Sequence, residues 1–77
     1  MDEAEYIALL EKQNYVCAIC ELPETAAIRG RTLALAVDHC HGTNRIRGLL
    51  CMQCNRAIGG LRHSKALFEK AIAYLET

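Results

Sequence analysis

Two Cys-x-x-Cys pairs, Cys17/Cys20 and Cys51/Cys54, bracket residues 21–50 of this chain. Two intervening residues let one turn present both sulfurs to a single ion, while backbone amides stabilise the thiolates. Two such pairs complete a tetrahedral four-sulfur site with no open position, the arrangement of a structural zinc ion. The second pair closes a long loop, so metal binding and folding are expected to be coupled. A redox Cys-x-x-Cys needs only one pair and sits in a larger strand–helix–strand pattern, for which 77 residues leave no room. Cys40 is the odd fifth cysteine, between His39 and His41. It reads either as a ligand or as a small, half-buried loop side chain, and the second role suits the residue type better.

A second set of chemically capable residues lies within the same frame. Asp38 and His39 end one expected strand of a hairpin, and Asn55 directly follows the last cysteine ligand. A hairpin running into the second cysteine pair brings Asn55 back towards Asp38. A carboxylate and an amide oxygen are a sparse, hard donor pair of the kind that holds magnesium alongside waters and a substrate phosphate. His39, with an ordinary pKa of about 6.5, is suited to taking a proton from water near neutral pH. A metal beside it would stabilise charge on a phosphate and its leaving oxygen. Taken singly, each residue has a plainer role. Asp38 could cap a turn, His39 and His41 could be loop histidines or ligands of a second zinc, and Asn55 could cap a helix. Their joint placement around four cysteines is what favours the chemical reading.

The elements that must position these groups follow from pattern and breakers. Residues 2–13 read as an amphipathic helix with Tyr6, Ile7 and Leu10 on one stripe, acidic residues at its start and Asn14 as its stop. The first cysteine pair occupies a tight turn closed by Pro23, and 24–32 reads as loop. Leu33–Val37 reads as a strand leading into Asp38. Residues 40–44 form a turn, 45–50 a second strand with Gly48 marking a bulge or close approach, and Met52 onward a short helix ending at Gly59–Gly60. A last helix capped by Ser64 is expected to bury Leu67, Ala71, Ile72 and Leu75.

Composition bounds the rest. The length fits one small domain over 1–77, a size at which a metal staple commonly supplements a thin core. No apolar run approaches the roughly 20 residues that span a bilayer, and with acidic Asp2, Glu3 and Glu5 at the start no signal-peptide pattern is expected. A reducing, cytoplasmic location and no membrane partner are the resulting expectations. Net charge is zero but unevenly spread: residues 25–65 carry Arg29, Arg31, Arg45, Arg47, Arg56, Arg62 and Lys65 against Asp38 alone. Arginine presents a planar fork matched to phosphate oxygens, although solvated loop charges would look the same from charge alone.

The string Asp38-His39-x-His41-Gly42, then Ile46-Arg47-Gly48-Leu49-Leu50-Cys51-x-x-Cys54-Asn55, with Cys17-Ala18-Ile19-Cys20 upstream, resembles the recombination endonuclease VII family of phages. That family belongs to the HNH, or ββα-metal, nucleases, and the likeness runs from about Asn14 to Gly60. It implies a small α+β, zinc-stabilised domain with a ββα-metal core and flanking N- and C-terminal helices. It further implies a DNA endonuclease dependent on Mg2+ or Mn2+, with branched DNA among the candidate substrates. In that reading Asp38 and Asn55 hold the catalytic ion, His39 is the general base, and His41 contacts the phosphate or assists the leaving group, the two histidine roles being exchangeable. Arg45, Arg47 and Arg56 contact the DNA backbone. A phage or prophage protein in a bacterial cytoplasm is the implied setting. The apolar faces of the terminal helices suit either a core or a homodimer. Cys40 stands where family members often have an acidic residue. Nothing carries over to His63. The competing readings are a non-catalytic zinc-stabilised module that binds DNA or protein, and a thiol-based redox or metal-handling protein.

Overall fold

A computed structural model describes residues 1–40 and 42–77. Helix α1 (Glu3–Lys12) leads to the first cysteine turn, followed by strands β1 (Ala27–Ile28) and β2 (Arg31–Thr32). Strands β3 (Ala36–His39) and β4 (Ile46–Leu50) then precede helices α2 (Met52–Gly60) and α3 (Lys65–Leu75). Both sheets are two-stranded and antiparallel, β1 with β2 and β3 with β4.

Helix α1 begins where expected because Asp2 accepts the Glu5 amide at 2.8 Å, with Glu3 and Glu5 complementing the positive end of the helix. It ends in two left-handed residues, Asn14 and Tyr15 (φ 56° and 62°). Gln13 gives this helix its purpose. Its side-chain amide donates to the Leu49 carbonyl at 3.0 Å and to the Val16 carbonyl at 2.9 Å, while its oxygen accepts the Leu49 amide at 2.9 Å. The Ala18 amide donates to the same Leu49 carbonyl at 3.0 Å. The outer edge of β4 is thereby closed by a side chain and by the cysteine turn instead of by a third strand. Leu49 is fully buried, so removing this partner orphans its N–H. Gln13→Ala is expected to lower stability by about 1–3 kcal/mol, read as a shift in urea midpoint at unchanged slope.

Gly48 permits the close approach at the same junction. A Cβ there would stand 3.0 Å from the Gln13 side-chain oxygen and 3.6 Å from Ala18, which is the close approach anticipated for it. The bulge is present as well: Asp38 pairs with Gly48 but His39 pairs with Ile46, so Arg47 is the additional residue on β4.

The buried core among the described residues comprises Cys17, Leu35, Leu49, Leu50 and Cys51, with Tyr6, Leu9, Leu10, Val37, Cys54 and Ile58 packed partly against it. The Tyr6 hydroxyl ties α1 to this core by donating to the Leu35 carbonyl at 2.6 Å, and burial raises its pKa.

Three expectations are corrected. Residues 24–32 are not plain loop, because Arg29 and Gly30 both adopt positive φ (53° and 79°) and close a two-residue hairpin. The first strand of the main hairpin starts at Ala36 rather than Leu33. Helix α3 is capped by Ser64 as expected, at 3.2 Å to the Leu67 amide, but none of its residues is fully buried, and Ile72 and Leu75 are 57% and 79% exposed. Among the described residues, no helix is long and apolar enough to cross a membrane.

Candidate metal centre and adjoining polar site

The four cysteine sulfurs of the two pairs converge, every one lying within 4.8 Å of the others. Cys20 and Cys51 Sγ are 3.8 Å apart, which is about the edge of a tetrahedron built on Zn–S bonds of ~2.3 Å. The first turn is held by the Cys17 amide on the Leu22 carbonyl and the Glu21 amide on the Cys17 carbonyl, both at 3.0 Å. In the second, Cys51 caps α2, its sulfur accepting the Cys54 amide at 3.5 Å. Glu24 joins the two halves, one carboxylate oxygen accepting the Ala26 amide at 2.9 Å and the other the Met52 amide at 2.7 Å. The Ala26 amide is the chief reason its pKa is lowered, with Met52 and Thr25 adding to the effect against a smaller cost of desolvation.

Crowding four sulfurs together splits their acidities. Burial pushes the Cys17 thiol up, yet N–H groups of Cys51, Cys20 and Ile19 outweigh it and bring the thiol to about 6. Burial and the neighbouring sulfurs push Cys54 up to about 12. The donor set therefore fits a soft, thiolate-binding divalent ion, which would displace the remaining protons on binding. Cys40 is no part of this cluster and is half-buried, in agreement with the loop reading. The Thr43 hydroxyl, then the Thr43 and Gly42 backbone, bring its thiol down to about 7. With the other four thiols held by metal, alkylation by iodoacetamide is expected to map to Cys40 alone. Its rate should rise with pH through about 7, since the thiolate is the reacting form.

Beside the cysteine cluster, Asp38 lies buried on β3. It faces a recess of about 230 Å³ lined by Ala18, Ile19, Arg47, Gly48, Leu50 and Ile58. Gly48, directly opposite Asp38, leaves this space open. Arg47 enters it from the bulge. On a regular strand the neighbour of Gly48 would point to the other face, but the additional residue turns its side chain back onto Asp38. Arg47 Nε donates to one carboxylate oxygen at 2.6 Å and Nη2 to the other at 3.0 Å. This side-on ion pair raises the pKa of Arg47. Nη2 also meets His63 Nδ1 at 3.1 Å.

Helix α2 packs on β3. Asn55 is exposed on its second turn and Ile58, three residues on, lines the recess of Asp38, so the two share a helix face. His39 is exposed at the end of β3, with the register slip falling between it and Asp38. Arg45 and Arg56 are exposed. His41 lies outside the described residues. The donor types of Asp38 and Asn55 suit a hard divalent ion, and a carboxylate with two hydrogen bonds from Arg47 retains further lone pairs. Sequence reasoning missed His63, because its approach depends on the backbone of the turn between α2 and α3, for which residues 61–64 carry no recognised turn signal.

The recombination endonuclease VII family matches the chain over residues 1–77. Among curated proteins it is similar to the Gene 59 protein of Mycobacterium phage D29, 40% identical over 72 residues, which is 92% of this chain and 41% of that protein. The Gene 59 protein of Mycobacterium phage L5 is 39% identical with the same coverage. The chain thus spans about two fifths of the length of these relatives.

Proposed function

Since the chain belongs to the recombination endonuclease VII family, we propose that it is a metal-dependent DNA endonuclease of the HNH type, with its four cysteines holding a structural zinc ion. The observation that carries this reading is the placement of Asp38. A buried carboxylate faces an open recess on a hairpin packed against the helix that bears Asn55, immediately after the last cysteine.

In this reading the cysteine cluster fixes the entry of α2, and α2 in turn fixes Asn55 over β3. Asp38 and Asn55 would hold Mg2+ or Mn2+, which supplies charge stabilisation for a phosphodiester and its departing oxygen. His39, exposed at the strand end, takes the proton of the attacking water. His41 serves the phosphate or the leaving group. Arg45, Arg47 and Arg56 engage the DNA backbone, a contribution that weakens with salt. One such site cuts one strand per encounter, and a homodimer joined through the exposed Ile72, Tyr74 and Leu75 of α3 would cut both. The phage origin of the relatives supports a role inside an infected or lysogenic bacterium.

The test is relaxation of supercoiled plasmid by zinc-loaded protein, with and without Mg2+ or Mn2+, alongside His39→Ala and Asn55→Ala. Metal-dependent nicking that both variants lose is the expected result. DNA binding without nicking under any divalent ion would favour a non-catalytic zinc-stabilised module instead.

A further inference from the structure

His63 is held in place by more than its own side chain. It and Arg62 are consecutive left-handed residues (φ 55° and 58°) in the connection between α2 and α3. Neither is glycine, and such backbone is disfavoured for residues with a Cβ, although histidine is among those that tolerate it. The turn is fastened by four backbone hydrogen bonds: Leu61 to Ala57 at 3.1 Å, Arg62 to Gly59 at 3.0 Å, His63 to Ile58 at 2.9 Å and Ser64 to Leu61 at 3.1 Å. Those bonds fix the backbone from which the imidazole meets the Arg47 guanidinium.

The contact specifies chemistry. A guanidinium nitrogen only donates, so Nδ1 of His63 must be the acceptor. The contact is a hydrogen bond in the tautomer that carries its proton on Nε2. Arg47 spends its Nε–H and one Nη2–H on Asp38 and the other Nη2–H on His63. Three of its five donors are thus committed, and the planar fork is fixed from two sides. The Nη1 pair takes no part in these bonds, while the side chain as a whole is 36% exposed. A fixed guanidinium with a spare pair of donors is suited to a phosphate oxygen.

We propose that His63 is a positioning residue that aims Arg47 at a DNA phosphate beside Asp38. The inference rests on DNA being the partner, but not on cleavage, and the two can be tested apart. His63→Gly keeps the left-handed backbone and removes the ring, whereas His63→Asn tolerates the same backbone and restores an acceptor oxygen. Zinc content and far-UV circular dichroism of both variants establish that the fold is retained.

Binding of a fluorescent DNA duplex is measured by anisotropy without divalent ions, across a series of salt concentrations. His63→Gly should bind roughly tenfold more weakly, with the salt slope reduced by about one phosphate contact. His63→Asn should recover most of the loss, and His63→Gly should add nothing in an Arg47→Gln background. Nitrogen-15 spectra of the imidazole should show the proton on Nε2. Unchanged affinity and salt slope in His63→Gly, failure of Asn to rescue, or a proton on Nδ1 would overturn the inference. Absence of nicking with these binding effects intact would remove the nuclease reading and leave the role of His63 standing.

Discussion

Stripping zinc from the cysteine cluster is expected to unfold this domain rather than only inactivate it. Two of the five buried hydrophobic side chains among the described residues are cysteines of the cluster, and the other three are leucines. Without an ion, the cluster is an assembly of crowded thiols with acidities forced apart, Cys17 to about 6 and Cys54 to about 12. A domain of 77 residues has a net stability of roughly 4–12 kcal/mol by the usual per-residue range. Structural zinc contributes about 10–16 kcal/mol in small zinc domains near neutral pH, which is enough to decide folding outright. Chelation, or Cys17→Ser, should abolish the helical circular dichroism. Zinc should restore the chelated wild type, whereas Mg2+ should not. Cys40→Ser should fold normally. A chelated chain that kept its native spectrum and cooperative melt would show that the core suffices without metal.

Asp38→Asn carries the second large effect, and here the fold should survive. The substitution keeps the shape of the side chain but removes the charge that Arg47 embraces and that a catalytic cation would need. Nicking is expected to fall by about a hundred- to a thousandfold, the usual cost of deleting one well-placed electrostatic stabiliser of a transition state. The melting temperature of the zinc-loaded protein should drop by only a few degrees. Comparison with Arg47→Gln separates two roles. If Asp38 acts only by orienting Arg47, the two variants lose the same rate and the double variant loses no more. If Asp38 holds the ion, its loss is the greater and persists in the Arg47→Gln background. Single-turnover nicking over a range of Mg2+ concentrations decides between them.

The convergence of the four cysteines was legible in the sequence because ligand spacing is a local property, and a turn that presents two sulfurs depends on little beyond its own residues. The hairpin and α2 were legible for a related reason: Gly48, Gly42 and Gly59–Gly60 punctuate them. The β1–β2 hairpin was not, since two-residue strands carry no alternation and Arg29 supplies a positive φ without the usual Asn-Gly or Asp-Gly signature. The exposed side of α3 was misread as core because helical periodicity marks an apolar face without saying what covers it. The ion pair of Asp38 with Arg47 was hidden for a deeper reason. In a regular ladder Arg47 would point to the other face, so no rule of alternation leads to the pairing. Only the register slip creates it.

That slip also separates the hairpin into two independently adjustable parts. Beyond Arg47, towards α2, the pairings of Gly48, Leu49 and Leu50 are anchored by Gln13, Ala18 and the buried core. On the other side, the Cys40 amide donates to the Arg45 carbonyl at 2.7 Å and the Asn44 amide to the Cys40 carbonyl at 2.6 Å. A residue inserted on that side of the slip should leave the pairings of Gly48, Leu49 and Leu50 in phase. Deleting Arg47 itself would instead straighten the ladder, and the hairpin would gain regularity while losing the guanidinium from its recess. The bulge is thus a position along β4 where a shorter strand would be a different molecule.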